Sequence, residues 1–246
     1  MTTLLVTRPR PQCAVWLARL QALGVPAAAL PLIEIQPVAD PAPVQAAWAG
    51  LANAQLAVFV SPNAVEQFFA LAHGTWPAQT LAACVGPGSA QALAAHGVPV
   101  SQIVQPALDA PSLDSEHLWQ VLSVQREWAG AQVLLLRGDG GREWLAERLV
   151  AAGAQVEPVT VYHRSGPQLD AAEQARLQAA LAQPADFVWL FSSAEAVGHL
   201  QGLALAGQRA IATHPRIAEA ARVAGFATVV LARPEPAAVA QAFLAL

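Results

Sequence analysis

Lysine is absent from all 246 residues, and each of the thirteen basic side chains is an arginine. That excludes a Schiff-base lysine and the lysine of a phosphate-binding P-loop. What remains is a cation whose planar fork holds carboxylates in a fixed plane. Codon bias in an Ala- and Arg-rich chain accounts for most of these arginines; those at strand ends stand apart. Cysteine is scarce: Cys13 and Cys84 lie far apart, fit no metal-ligand spacing, and read as small buried thiols in a reducing compartment. No apolar run reaches the ~18 residues needed to span a bilayer. The opening Met1-Thr2-Thr3-Leu4-Leu5-Val6-Thr7-Arg8-Pro9 has neither a basic segment nor the long apolar stretch of a secretory signal. The expected setting is cytoplasmic, with no membrane partner. A net charge of −4 offers no field for nucleic acid.

Several catalytic signatures are also missing. No Gly-x-Gly-x-x-Gly follows the first strand, and Arg137-Gly138-Asp139-Gly140-Gly141-Arg142 lacks the third glycine where a dinucleotide fingerprint needs it. No carboxylate pair occupies matching strand ends, which argues against a glycosidase. No Gly-x-Ser-x-Gly elbow occurs.

What is present is an apolar chain, 55% hydrophobic and long enough for one large domain or two modest ones. Leu4-Leu5-Val6 reads as a strand, followed by a helix carrying Trp16, Leu17, Leu20 and Leu23 that Gly24 stops. Residues 25–35 are extended, and Pro37, Pro41 and Pro43 punctuate a linker. A helix is expected over 44–51, then the fully apolar strand Leu56-Ala57-Val58-Phe59-Val60, as in a parallel sheet covered on both faces. A helix over 64–72 follows, with Ser61 as N-cap and Pro62 as its first residue. Strands are expected over 81–85 and 98–104, a helix between them up to Gly97, and another opened by Asp114-Ser115-Glu116.

Then the order restarts. Val133-Leu134-Leu135-Leu136 leads into Arg137-Gly138, and a helix with Trp144, Leu145 and Leu149 closes at Gly153, with the same spacing as Arg8 to Gly24. Pro158 to Tyr162 repeats Pro31 to Ile35, and Phe187-Val188-Trp189-Leu190-Phe191 repeats the strand at Leu56. Ser193-Ala194 repeats Ser61-Pro62. His214-Pro215, running to Gly225, repeats Gly86-Pro87, running to Gly97, and Thr228-Val229-Val230-Leu231 repeats the strand at Val98. The chain therefore holds two copies of one β-α array, the first ending near Leu108 and the second starting near Val133. Alternating strands and helices predict an α/β protein of two flavodoxin-like parallel-sheet lobes. The two related stretches at about 31–37 and 156–164 are expected to form a two-stranded β-ladder hinge.

Ligands of open parallel sheets bind beyond the carboxyl ends of the strands. There the sequence offers Thr7-Arg8, Ser61-Pro62-Asn63, Gly86-Pro87-Gly88-Ser89, Arg137-Gly138-Asp139, Ser192-Ser193 and Thr213-His214. Most precede a helix, whose free N–H groups and positive dipole end suit an anion, carboxylate or phosphate. Each alone is also an ordinary cap; the recurrence in both copies favours a shared role. Tyr162 is the only tyrosine. A phenol ordinarily keeps its proton at working pH and can donate it. Tyr162 either faces the cleft or is a packed aromatic with a hydrogen-bonded hydroxyl. Strand alternation sends His163 to the face opposite Tyr162. His73, His96, His117 and His199 read as surface or satisfied core residues.

Thr7-Arg8-Pro9, Pro31-Leu32-Ile33-Glu34-Ile35, Phe59-Val60-Ser61-Pro62-Asn63-Ala64-Val65, Val85-Gly86-Pro87-Gly88-Ser89-Ala90, Leu135-Leu136-Arg137-Gly138 and Val159-Thr160-Val161-Tyr162, taken in order, resemble the uroporphyrinogen-III synthase family. The resemblance implies lobe 1 from residues 1–35 with 163–246, and lobe 2 from 36–162. It implies cyclisation of hydroxymethylbilane, a linear tetrapyrrole polycarboxylate, to uroporphyrinogen III, with loss of water and inversion of ring D. No cofactor and no metal are implied, and the product serves haem, sirohaem, cobalamin and chlorophyll synthesis. Tyr162 matches the proton donor of the hinge strand. Arg8, Ser61, Asn63, Gly86, Ser89, Arg137, Ser193 and Thr213 fall at substrate-binding positions. One departure is Ile217, where the family more often has a hydroxyl; Thr213 and Arg216 are the candidates to replace it. A hinge that must move favours a monomer, and contact with hydroxymethylbilane synthase belongs to the same expectation. The competing readings are a two-lobed binding protein for an anionic small molecule without catalysis, and a flavodoxin-like signalling pair. The latter lacks the acidic pocket of a receiver domain.

Overall fold

The computed structural model describes residues 2–71 and 74–246. The expectation for His73, and the last residue of the helix expected over 64–72, lie outside them. In chain order the strands are β1 (Thr3–Val6), β2 (Ala27–Ala29), β3 (Glu34–Pro37), β4 (Leu56–Phe59), β5 (Leu81–Cys84), β6 (Ile103–Val104), β7 (Gln132–Gly138), β8 (Gln155–Ser165), β9 (Phe187–Phe191), β10 (Arg209–Ala212) and β11 (Thr228–Leu231). The α-helices are α1 (Arg10–Ala22), α2 (Ala42–Gly50), α3 (Pro62–Leu71), α4 (Pro87–Ala95), α5 (Ser115–Gln125), α6 (Trp144–Ala151), α7 (Ala171–Ala182), α8 (Ala194–Gly198), α9 (Pro215–Ala224) and α10 (Pro236–Leu244).

By internal packing the chain divides into two compact units, Met1–Glu34 with Ser165–Leu246, and Ile35–Arg164. The first holds a five-stranded sheet in the order β11-β10-β9-β1-β2, parallel at every pairing. The second holds the sheet β3-β8-β7-β4-β5-β6, parallel from β8 through β6. Each sheet thus takes its opening β-α-β from one copy of the sequence repeat and its remaining strands from the other.

The continuous apolar strands follow from burial on both faces. In β4 and β7, Ala57, Phe59, Leu134 and Leu136 pack with Phe68, Trp76 and Leu93 on one side. Leu56, Val58, Val133 and Leu135 pack with Leu118, Leu122 and Trp128 on the other. In the first unit Leu4, Val6, Val188 and Leu190 meet Trp16 and Leu20 of α1 and Phe243 of α10. Helix boundaries follow local chemistry. Pro215 opens α9 and Gly225 ends it in the left-handed region at φ 104. Asp170 and Glu173 form a reciprocal capping box on α7.

Two expected strands are corrected. The stretch 98–104 is a strand only at β6; residues 100–102 form a 3₁₀ turn in which Val100 is 77% exposed. Gly97 at φ 85 and Pro99, which has no amide to donate, break the ladder there. The stretch at 31–37 is a strand only over β3. Leu32 and Ile33 are buried ahead of it, and the Leu32 amide donates to the Thr7 carbonyl at 3.3 Å.

Candidate functional site

The unit 35–164 gathers six of the candidate residues at the carboxyl ends of β8, β7, β4 and β5. Ser61 follows β4, and its Oγ accepts the Ala64 amide at 3.2 Å, the N-cap bond of α3. The same oxygen lies 3.1 Å from the Tyr162 hydroxyl, and either can donate. Tyr162 is only 3% exposed and packs with Val159 and Val161. Its ring is thus packed and its hydroxyl hydrogen-bonded. Asn63 is half-buried in the first turn of α3.

Gly86 precedes α4 with extended backbone, and its carbonyl accepts the Ser89 amide at 3.1 Å. Ser89 is buried. A Cβ at Gly88 would stand 3.5 Å from the Pro62 ring, so the turns after β4 and β5 are neighbours. Burial pushes the Cys84 thiol beneath them up to about 11. Arg137 is next to last in β7 and its Nη1 donates to Glu143, so its fork already holds one carboxylate. Exposed His163 lies 3.3 Å from Asp139, on the side away from the buried Tyr162 ring. Asp139 also accepts the Arg164 amide at 2.9 Å. Burial pushes the Asp139 carboxyl up, but the Arg164 amide and His163 outweigh it and hold it below the usual carboxylate range.

The other unit gathers Arg8, Ser193 and Thr213 at the ends of β1, β9 and β10. Thr7 is buried and its Oγ1 donates to the Leu190 carbonyl at 2.6 Å, fixing the exit of β1 against β9. Arg8 Nη1 donates to Gln12 at 3.1 Å, and the guanidinium lies 4.3 Å from the Trp16 ring centre. Its Nε is buried and, among the described residues, meets no acceptor. Burial pushes the Arg8 guanidinium down to about 10 and the neighbouring Cys13 thiol up to about 12. Ser193 caps α8 by accepting the Glu195 amide at 3.2 Å. Thr213 is half-buried, its amide bonded to the Phe191 carbonyl at 3.0 Å. His214 caps α9 through Nδ1, which accepts the Arg216 amide at 3.1 Å. Ile217 is buried, so this position packs the unit rather than lining an open turn.

Three further histidines lie among the described residues. His96 pairs with Glu66 at 3.0 Å and stacks on Phe69, His117 bonds Asp114 at 2.7 Å, and His199 is exposed. Among the described residues no three His, Cys, Asp or Glu side chains are placed to hold a metal ion, and no helix is long and apolar enough to cross a membrane.

The model of the family described as uroporphyrinogen-III synthase HemD matches residues 14–241. The chain belongs to the uroporphyrinogen-III synthase family. The uroporphyrinogen-III synthase of Salmonella typhimurium is 36% identical over 180 residues, 70% of this chain and 69% of that one. That of Escherichia coli K12 is 34% identical over 176 residues, with the same coverage of each. Among solved structures, a mutant uroporphyrinogen III synthase of Thermus thermophilus superposes with a TM-score of 0.60 at 17% identity, covering 100% of this chain and 98% of that one. The Helicobacter pylori protein gives 0.58 at 17% identity, covering 100% and 99%. These two show the shared α/β fold.

Two features of this family member escaped the sequence reading. The first is a charged cluster. Arg10 holds Glu173 through both oxygens, donates to the Gln168 carbonyl at 2.7 Å, and lies 3.4 Å from Glu34. Its sequence signal is the Asp-x-x-Glu spacing of 170 and 173, which announces a capping box. The second is the bareness of Gly138 beneath the Tyr162 ring, which no local pattern announces.

Proposed function

We propose that this chain closes hydroxymethylbilane to uroporphyrinogen III, with loss of water and inversion of ring D. The observation that carries this is the family match running through residues 14–241, which spans both units. In the proposed reaction the terminal hydroxymethyl C–O bond breaks and the oxygen leaves as water after taking one proton. The pyrrole nitrogen supplies the electrons; the new bond forms at the substituted carbon of ring D, that carbon's old bond to its bridging methylene then breaks, and the methylene rebonds at the ring's free α-carbon, which loses its proton. A weak acid is enough, because the ring pushes the leaving group out.

We assign the donor role to Tyr162. Its support is the 3.1 Å contact with Ser61. The Ser61 oxygen is held by the Ala64 amide at the start of α3, which leaves its own proton free to turn toward the phenol oxygen as charge develops. The positive end of α3 favours that charge. Arg8, Asn63, Gly86, Ser89, Arg137, Ser193 and Thr213 are proposed as carboxylate contacts, through forks, hydroxyls and backbone amides. The two units are proposed to act as lobes on one substrate, with the stretches at 31–37 and 156–164 as hinge. A monomer, with hydroxymethylbilane synthase as a contact, belongs to the same proposal.

Fixing the bilane in one geometry is then the main catalytic task. The test is to supply hydroxymethylbilane to the purified protein and separate the product isomers. Isomer III is expected. Isomer I alone, the product of unassisted closure, would leave a binding protein without catalysis.

A further inference from the structure

Tyr162 reaches Ser61 only because β8 breaks its alternation. The register runs Leu136↔Val159 and Arg137↔Thr160, then jumps to Gly138↔Tyr162, so Val161 is an extra residue on β8. An unbroken strand would turn 159 and 161 to one face and 160 and 162 to the other. Instead Val159, Val161 and Tyr162 are all buried in one cluster, and His163 is exposed. A bulge of this kind re-aims a side chain. The Asp139 amide, donating to the Tyr162 carbonyl at 3.2 Å, resumes the pairing beyond it.

The residue opposite Tyr162 is Gly138. A Cβ placed there would stand 2.6 Å from Cε2, 2.7 Å from Cζ and 3.1 Å from Cδ2 of the Tyr162 ring. Real Cβ atoms do not come that close, and Cζ is the atom that carries the hydroxyl. The backbone of Gly138 is not in the left-handed region, so its own conformation does not call for glycine. The ring alone does.

We propose that Gly138 is a positioning residue for the reaction. With no side chain, it lets the bulge lay the Tyr162 ring across its Cα and set the hydroxyl beside Ser61. This rests on the assignment of Tyr162 as proton donor.

The experiment is a double-mutant cycle of Gly138→Ala and Tyr162→Phe, reading kcat, KM and thermal midpoint. Tyr162→Phe is expected to lower kcat by about a hundredfold or more with KM nearly unchanged, on the order of what a positioned general acid contributes. Gly138→Ala is expected to lower kcat by about tenfold to a hundredfold, as a displacement near 1 Å can. In the Tyr162→Phe background the same alanine should remove no further kcat, because the hydroxyl is already gone. It should still lower the midpoint, because the ring still collides with the new Cβ.

Equal kcat losses in both backgrounds would make Gly138 merely structural and overturn the inference while leaving Tyr162 in place. A wild-type rate for Gly138→Ala beside a slow Tyr162→Phe would do the same. A wild-type rate for Tyr162→Phe would instead remove the donor assignment itself. Should the alanine variant fail to fold, the native protein answers. Tyr162 is the sole tyrosine, so ring-labelled tyrosine gives one set of resonances. A nuclear Overhauser contact between that ring and the Gly138 α protons is expected, and its absence would overturn the inference.

Discussion

Arg8 shows how an arginine can be both structural and available. Its guanidinium rests on Trp16 and spends one N–H on Gln12, yet its buried Nε has no acceptor among the described residues. Burial pushes it down only to about 10, so it stays charged at neutral pH. Arg8→Ala is therefore expected to raise KM by about tenfold or more, the scale of a lost charge-assisted hydrogen bond, and to lower kcat much less. Steady-state kinetics decide this, and an unchanged KM would put Arg8 outside the carboxylate set. Arg137 is a different case, because Glu143 already occupies its fork. Both arginines were legible in the sequence as strand-end cations, but their partners, Gln12 and Glu143, were not. Tyr162 stood out as the lone tyrosine, while the direction of its ring depended on a bulge that period-two reasoning cannot see.

Among the elements, α3 joins stability to the candidate chemistry. Ser61 is its cap and also the partner of the Tyr162 hydroxyl. Ser61→Ala is expected to cost about 1 kcal/mol of stability, seen as a fall of about 2–4 °C in the thermal midpoint. A midpoint equal to wild type would show that the cap bond contributes nothing. The cap itself was readable from Ser61-Pro62, as were β4, β7 and β9, because strands buried on both faces leave long apolar runs. The failures have equally local causes. Around Pro99 the apolar residues part ways, Val98 buried in the core and Val100 turned to water, so apolarity alone misreads the stretch. At 31–37, Leu32 and Ile33 are apolar because they fill the core ahead of β3, not because they pair in its ladder.

For the whole molecule, the sequence repeat was visible but the exchange between its copies was not derivable from periodicity. Which copy's β1 lies beside which β9 is fixed by contacts such as Thr7 Oγ1 to the Leu190 carbonyl, 183 residues apart. Long-range ties of that sort also set the response to acid. In the first unit the Arg10 hydrogen bond, against the cost of burial, holds the nearly buried Glu173 carboxyl below its ordinary value. In the second, Arg142 does the same for Glu116. A carboxyl lowered by folding contributes stability above its unfolded value, about 4.3 for Glu, and loses it as pH falls through the lower folded value. Stability should therefore be flat from pH 7 to about 5 and decline below about 4.3. Glu173→Gln isolates one share of this, because glutamine can still bond the Asp170 amide in the capping box. Arg10 is partly exposed, so the lost charge pairing is discounted to roughly 1–2 kcal/mol at pH 7. The variant's thermal midpoint should then lie below wild type at pH 7, and the two curves should converge as the wild-type carboxyl takes up its proton. A gap that stays constant down to pH 3 would mean that the Arg10–Glu173 charge does not stabilise the fold, however well its geometry is formed.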